Sequence, residues 1–220
     1  MHLKPHLRKA SELGLALTAI TTLILAGCGG GSGSASNSGG TTPAATTTTT
    51  VTPFKGMFTS GNVTLVDANG ISVTLVSGGN INASGVAAVT YPASVTYPLT
   101  VNVAGTYLDE TSGVGATGTI AAGSPLQGII PASTDAASGV PVTAVTHMAR
   151  TMLPTTGFNA ASAVAAITGV ASSVLGVPSY AQAMMPPVFD ANGKTSDINT
   201  LKLAALANVI GQHATGADLN

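Results

Sequence analysis

The chain has 220 residues, of which only 7% are charged and 4% aromatic, with no tryptophan and a formal net charge of −1. That length sets a prior of one or two domains. The charge pattern excludes a phosphate-neutralising surface for nucleic acid, because the basic residues beyond the first nine, Lys55, Arg150, Lys194 and Lys202, lie far apart in sequence. A single cysteine excludes an intrachain disulfide and any multi-cysteine metal site.

The first element is a leader. Lys4, Arg8 and Lys9 make a basic segment, and Leu13 to Leu25 an apolar run too short to span a bilayer comfortably. The run closes on Leu25-Ala26-Gly27-Cys28, which holds the only cysteine and opens directly into Gly and Ser. This order resembles the lipobox of bacterial lipoproteins. The resemblance implies cleavage after Gly27, a diacylglyceryl thioether on Cys28, acylation (palmitate) of the new amino terminus, and membrane attachment through those chains. Gly29, where Asp would signal retention, favours the outer membrane. Losing Lys4, Arg8, Lys9 and Glu12 with the signal peptide, residues 1–27, leaves four basic and seven acidic side chains, a net charge of −3.

Residues 28–52 are expected to form the lipidated cysteine and a disordered tether: Gly and Ser to Gly40, then Thr with Ala and Pro, including Thr46 to Thr50. Residues 53–142 are expected to form a β-rich domain. Val63 and Leu65 alternate with polar residues, Asp67-Ala68-Asn69-Gly70 carries a hairpin-turn signal, and Ile71, Val73 and Leu75 alternate again, with Ser77 to Asn80 expected to break the run. Two copies of Val-Thr-Tyr-Pro, ending at Pro92 and Pro98, belong to edge strands or loops because proline cannot donate to a ladder. Leu99 to Tyr107, Thr117 to Ile120, Leu126 to Ile130 and Val140 to Val145 read as further strands, and Asp109 to Gly113 as a turn. Short strands at this spacing indicate a small antiparallel β-sandwich. The segment Gly61 to Gly70, with Tyr97 to Val103 as a later strand, resembles the carboxypeptidase-regulatory-like, prealbumin-type sandwich modules of bacterial surface proteins. Such modules act as spacers or binding scaffolds, so the resemblance transfers no catalytic residue.

From residue 143 the hydrophobic period changes to about 3.6, and residues 143–220 are expected to form about three helices. Thr143 or Thr146 caps the first, through Leu153. Asn159 caps the second, Ala160 to Leu175, ended by Gly176, with a stripe of Val164, Ile167, Val170, Ala171, Val174 and Leu175. Asp197 caps the last, from Ile198 to about Gly211. That helix carries two apolar stripes, Ile198, Leu201, Ala205, Val209 and Leu203, Leu206, Ile210. The second is expected to need a partner, either another copy of the chain or a continuation beyond Asn220, the alternative being that the β-domain folds back over this face. The fold class is thus α+β, signal helix and linker followed by sandwich and helices, and the order resembles a set of bacterial lipoproteins.

Chemistry-bearing motifs are sparse. Asn192-Gly193-Lys194-Thr195 matches only the end of a phosphate-binding loop, with Val188 where the first glycine is required. Asp190 to Gly193 with Asp197 resembles a calcium loop whose glycine falls early and which lacks the closing glutamate. His147 and His213 are the only histidines after the leader, and neither a metal nor another cofactor is expected. No nucleophile elbow is present, and Asp109 and Glu110 alternate in direction if extended. The expected function is therefore a lipid-anchored envelope protein with a non-catalytic scaffold or binding role, for an envelope protein or glycan, and no catalytic residue. The alternative is a lipid-anchored hydrolase of envelope glycans or peptides. It requires at least two of Asp109, Glu110, Asp135, His147, Asp190 and Asp197 to converge in one pocket.

Overall fold

The computed structural model describes residues 44–109, 115–188 and 195–213; the side chains of 208 and 210–213 are outside that description. The described chain is α+β. Ten strands run in order as β1 (Thr46–Pro53), β2 (Phe58–Val66), β3 (Ser72–Val73), β4 (Ser77–Gly78), β5 (Asn80–Ile81), β6 (Ala87–Pro92), β7 (Leu99–Leu108), β8 (Thr117–Ile120), β9 (Leu126–Ile130) and β10 (Val140–Val142). Five helices accompany them: α1 (Ser133–Ala136), α2 (Ala144–Thr151), α3 (Ala160–Leu175), α4 (Tyr180–Ala183) and α5 (Ile198–His213). No helix among the described residues is long and apolar enough to cross a membrane.

Two sheets form. The first runs β10-β1-β6-β4, and the second runs β3-β2-β7-β8, with β5 also on β2 and β9 also on β7. All pairings are antiparallel except β1 with β10, which is parallel from Val51↔Val140 to Pro53↔Val142. The period-two pattern explains how they meet. Val51, Val89 and Tyr91 from the first sheet and Val63, Leu65, Leu99, Val101 and Val103 from the second bury into one shared apolar core. The second sheet has another buried face at its β9 end, where Ile129 joins Val145, Ala149, Ile167, Ala171 and Leu203 in a second core beneath α2, α3 and α5. The layers are therefore sheet, sheet, helices.

The helix boundaries follow local chemistry. Thr143 accepts from the Thr146 N–H and the Thr146 hydroxyl accepts from the Thr143 N–H, so both orphan donors at the start of α2 are paired. Asn159 and Ser162 repeat the arrangement on α3. Gly176 ends α3 in the left-handed region, at φ 68°, which favours glycine. The expected α3 stripe is buried at Ile167, Val170, Ala171 and Leu175, but Val174 is exposed.

Four expectations need correction. Thr46 to Thr52, expected as disordered tether, form most of β1, a central strand between β6 and β10. Threonine is β-branched, and the alternation buries Thr49 and Val51 while Thr46, Thr48 and Thr50 face water, so a run polar in composition still has an inner face. Val140 to Val145, expected as one strand, stops as β10 at Val142, and Ala144 and Val145 open α2; the β2–β3 hairpin does end before Ser77, which with Gly78 pairs with β6 in the other sheet. The first Val-Thr-Tyr-Pro copy lies in β6, an interior strand. Its Pro92 is tolerated because it is the strand's last residue.

The fourth concerns α5. Leu203 is 6% exposed and Leu206 is partly buried, both packed on the helical core, whereas Ile198, Leu201 and Val209 are 61, 45 and 53% exposed. Two members of the stripe expected to need a partner, Leu203 and Leu206, are therefore covered by the chain itself, on the core beneath α2 and α3, while the Ile210 side chain lies outside the described residues. The expectations for the signal peptide, Cys28 and the tether up to residue 43 lie outside the described residues, as do those for Glu110, Asp190 and the Asn192-Gly193-Lys194 turn.

Candidate functional site

The richest cluster of polar side chains lies where β7, β9 and α2 meet. Asn102 and Gln127 are cross-strand neighbours on β7 and β9, on the face opposite the first core. The Gln127 side chain donates from Nε2 to Asn102 Oδ1 at 2.9 Å. The backbone of Gln127 is claimed by α2: its N–H donates to His147 Nδ1 at 3.1 Å, and its carbonyl accepts from the Thr146 hydroxyl at 3.2 Å. A ring nitrogen that accepts from an amide must be unprotonated, so His147 is neutral with its proton on Nε2. Partial burial, and secondarily the positive charge of Lys55, lower its pKa below the ordinary 6.5. Lys55 itself lies over the Tyr107 ring, 5.5 Å from the centroid.

One turn further along α2, Arg150 is 8% exposed. Its Nε donates to the buried Thr100 hydroxyl at 2.8 Å, and its two terminal nitrogens donate to the carbonyls of Leu153, Pro154 and Thr155 at 3.2–3.3 Å. The guanidinium also lies over Phe158, 4.8 Å from the ring centroid. Burial pulls its pKa down, and the planar fork offsets that cost by donating to three turn carbonyls at once. The same turn is fixed to the β2–β3 turn through Gly157 N–H to the Ala68 carbonyl, 2.9 Å. Arg150 therefore organises a seam between helix layer and sheet, not an open anion site.

The acids proposed for hydrolysis do local work. Asp135 Oδ2 accepts from the Ala132 N–H at the start of α1. Asp197 Oδ1 accepts from both the N–H and the hydroxyl of Thr200, at 2.7 and 2.8 Å, capping α5. Asp109 follows β7, its N–H donating to the Ala116 carbonyl. His147 stands on α2. No hydrogen bond joins His147 to Asp135 or Asp197, or those two acids to each other. Among the described residues no three His, Cys, Asp or Glu side chains lie close enough to hold a metal. Asp67, expected in a turn, accepts from the N–H groups of Asn69 and Ile71 at 2.9 and 2.8 Å, an Asx turn.

Residues not anticipated from the sequence are Asn102, Gln127, Thr100 and the clamping role of Arg150. Their partners lie 20 to 50 positions away, and no local spacing announces them. A second Asx turn, in which Asn82 accepts from the N–H groups of Ser84 and Val86, did have a signal: Asn82-Ala83-Ser84-Gly85 repeats the form of Asp67-Ala68-Asn69-Gly70.

The described residues thus form two sheets and a helical layer, joined by a polar seam of strand amides, His147 and the Arg150 guanidinium. Compared with known proteins, the chain matches no family model, no curated protein and no solved structure.

Proposed function

We propose that this chain is a bacterial lipoprotein of the cell envelope, anchored through lipid on Cys28 after cleavage behind Gly27, and placed in the outer membrane. In this reading the two-sheet part is a small β-sandwich of the spacer or binding-scaffold kind, without catalytic activity. The observation that carries it is the order of the leader: basic residues, an apolar run, Leu25-Ala26-Gly27-Cys28, then Gly and Ser. In this reading the tether is residues 29–44, because the Ala45 carbonyl already accepts from the Ala93 N–H; a coil of that length has a root-mean-square span of roughly 20–25 Å. That length keeps the domain near the membrane but clear of its headgroups.

A non-catalytic role is favoured because Asp67, Asp135 and Asp197 are each engaged in closing a turn or capping a helix.

The test is mass spectrometry of the mature amino-terminal peptide, with incorporation of an alkyne-bearing palmitate during growth. The expected result is a peptide starting at Cys28 with diacylglyceryl and acyl additions, and loss of label in Cys28→Ser with accumulation of the precursor. A mature peptide without added acyl chains overturns the proposal.

A further inference from the structure

We propose that His147 makes the attachment of α2 to the β9 edge proton-sensitive, so that acid opens a strand edge that is closed at neutral pH. β9 pairs with β7 on one side, and among the described residues no strand pairs with its other side. An open edge offers unpaired N–H and C=O groups to any other chain. Here consecutive residues of α2 close it: Thr146 donates to the Gln127 carbonyl and His147 Nδ1 accepts the Gln127 N–H. The first of these bonds is insensitive to pH. The second exists only while Nδ1 carries its lone pair, since imidazolium has two donors and no acceptor. Protonation sets two N–H groups facing each other across 3.1 Å, and the Gln127 amide is released as an open edge donor.

The surroundings give imidazolium little compensation. The described charged side chains on elements around α2 are Lys55, whose charge opposes protonation; Arg150, committed to Thr100 and the 153–155 carbonyls; Lys202, which donates to the Leu175 carbonyl; Asp135 and Asp197, engaged with Ala132 and Thr200; and Asp109, after β7. The strand residue bonded to the ring, Gln127, and the Asn102 that holds its side chain are both neutral. Because the folded-state pKa lies below 6.5, the bond is intact above that pH and is lost as pH falls through the lowered value.

The experiment is residue-resolved amide exchange and imidazole titration by NMR on the full-length protein in detergent. Between about pH 7.5 and about pH 5, Gln127 protection is expected to fall with the His147 titration, by about tenfold for each unit its pKa lies below the ordinary value. Amides in the middle of α3, such as Val170, keep theirs. His147→Asn, which offers an acceptor near the Nδ1 position without titrating, is expected to keep Gln127 protected across the range. Unchanged protection at Gln127 through the imidazole titration, an equal loss at Val170, or the same acid loss in His147→Asn would each overturn the inference.

Discussion

The hydroxyl of Tyr91 lies 2.9 Å from the hydroxyl of Tyr97. These are the tyrosines of the two Val-Thr-Tyr-Pro copies, so the repeat supplies two polar tips that satisfy each other. Tyr91 is fully buried, and burial, then the Tyr97 contact, raises its pKa so that it stays protonated throughout the physiological range. Tyr97→Phe is expected to cost about 1–3 kcal/mol, because it leaves a buried hydroxyl unpaired. Tyr91→Phe with Tyr97→Phe is expected to cost less than the sum of the two singles. Urea unfolding of the four proteins of the cycle measures this; strict additivity would show that the pair does not interact.

Arg150 is expected to be irreplaceable by lysine. Alanine removes four hydrogen bonds and the contact with Phe158, a loss of about 2–4 kcal/mol. Lysine keeps the charge but cannot reach Thr100 and the 153–155 carbonyls together, so Arg150→Lys should fall nearer to alanine than to wild type in thermal unfolding. A lysine variant as stable as the parent would show that charge, and not the fork, matters.

Legibility in the sequence divided along the same line. Thr143, Asn159, Gly176 and Asp197 were readable as helix ends because capping is a matter of three or four neighbouring residues. The Asp67 turn was readable for the same reason. The Arg150–Thr100 bond spans 50 positions and the Gln127–His147 bond 20, and residue type alone carries no hint of either. At Thr46 to Thr50 composition pointed to a linker, whereas the period-two split of one face into the core decided for a strand. On α5 periodicity found two stripes correctly as a pattern, but which one meets α2 and α3 is a tertiary choice. The candidate site is barely legible: His147 stands alone among the sequence's motifs, and its partner is an ordinary strand amide, the Gln127 N–H on β9.

Asp197 gives a second window of acid sensitivity. The backbone N–H of Thr200, then its hydroxyl, hold the Asp197 carboxyl below the ordinary carboxylate range. A depressed pKa means that this stabilisation is present above the unfolded carboxylate pKa and is lost as pH falls through the folded one. The start of α5 is therefore expected to fray as pH falls below the ordinary carboxylate range. Exchange at the Thr200 amide reports it. Asp197→Asn caps without a charge, and its α5 amides should show no such acid step; a step of the same size in both proteins would place its origin elsewhere.

The amino-terminal limit of the folded unit yields the last prediction. A β-domain beginning at Pro53 would lack β1. That strand pairs with β6 over six residues, from Thr46↔Pro92 to Val51↔Ala87, and with β10 over three. Its Val51 is fully buried in the first core, and the Thr49 hydroxyl donates to the Ala136 carbonyl at 2.7 Å, tying α1 to the sheet. Without it β6 and β10 have no common neighbour and the first sheet separates into pieces. Burying one valine contributes about 1.5–3 kcal/mol. Adding the lost ladder bonds, at about 0.5–1.5 kcal/mol each, approaches the entire stability of an ordinary domain, about 5–15 kcal/mol. A chain beginning at Ala44 is expected to unfold cooperatively with dispersed amide resonances, and one beginning at Pro53 to lack both. Limited proteolysis of the intact protein should accordingly stop near residue 44. A stable product starting at Pro53 would show that β1 is dispensable to the fold.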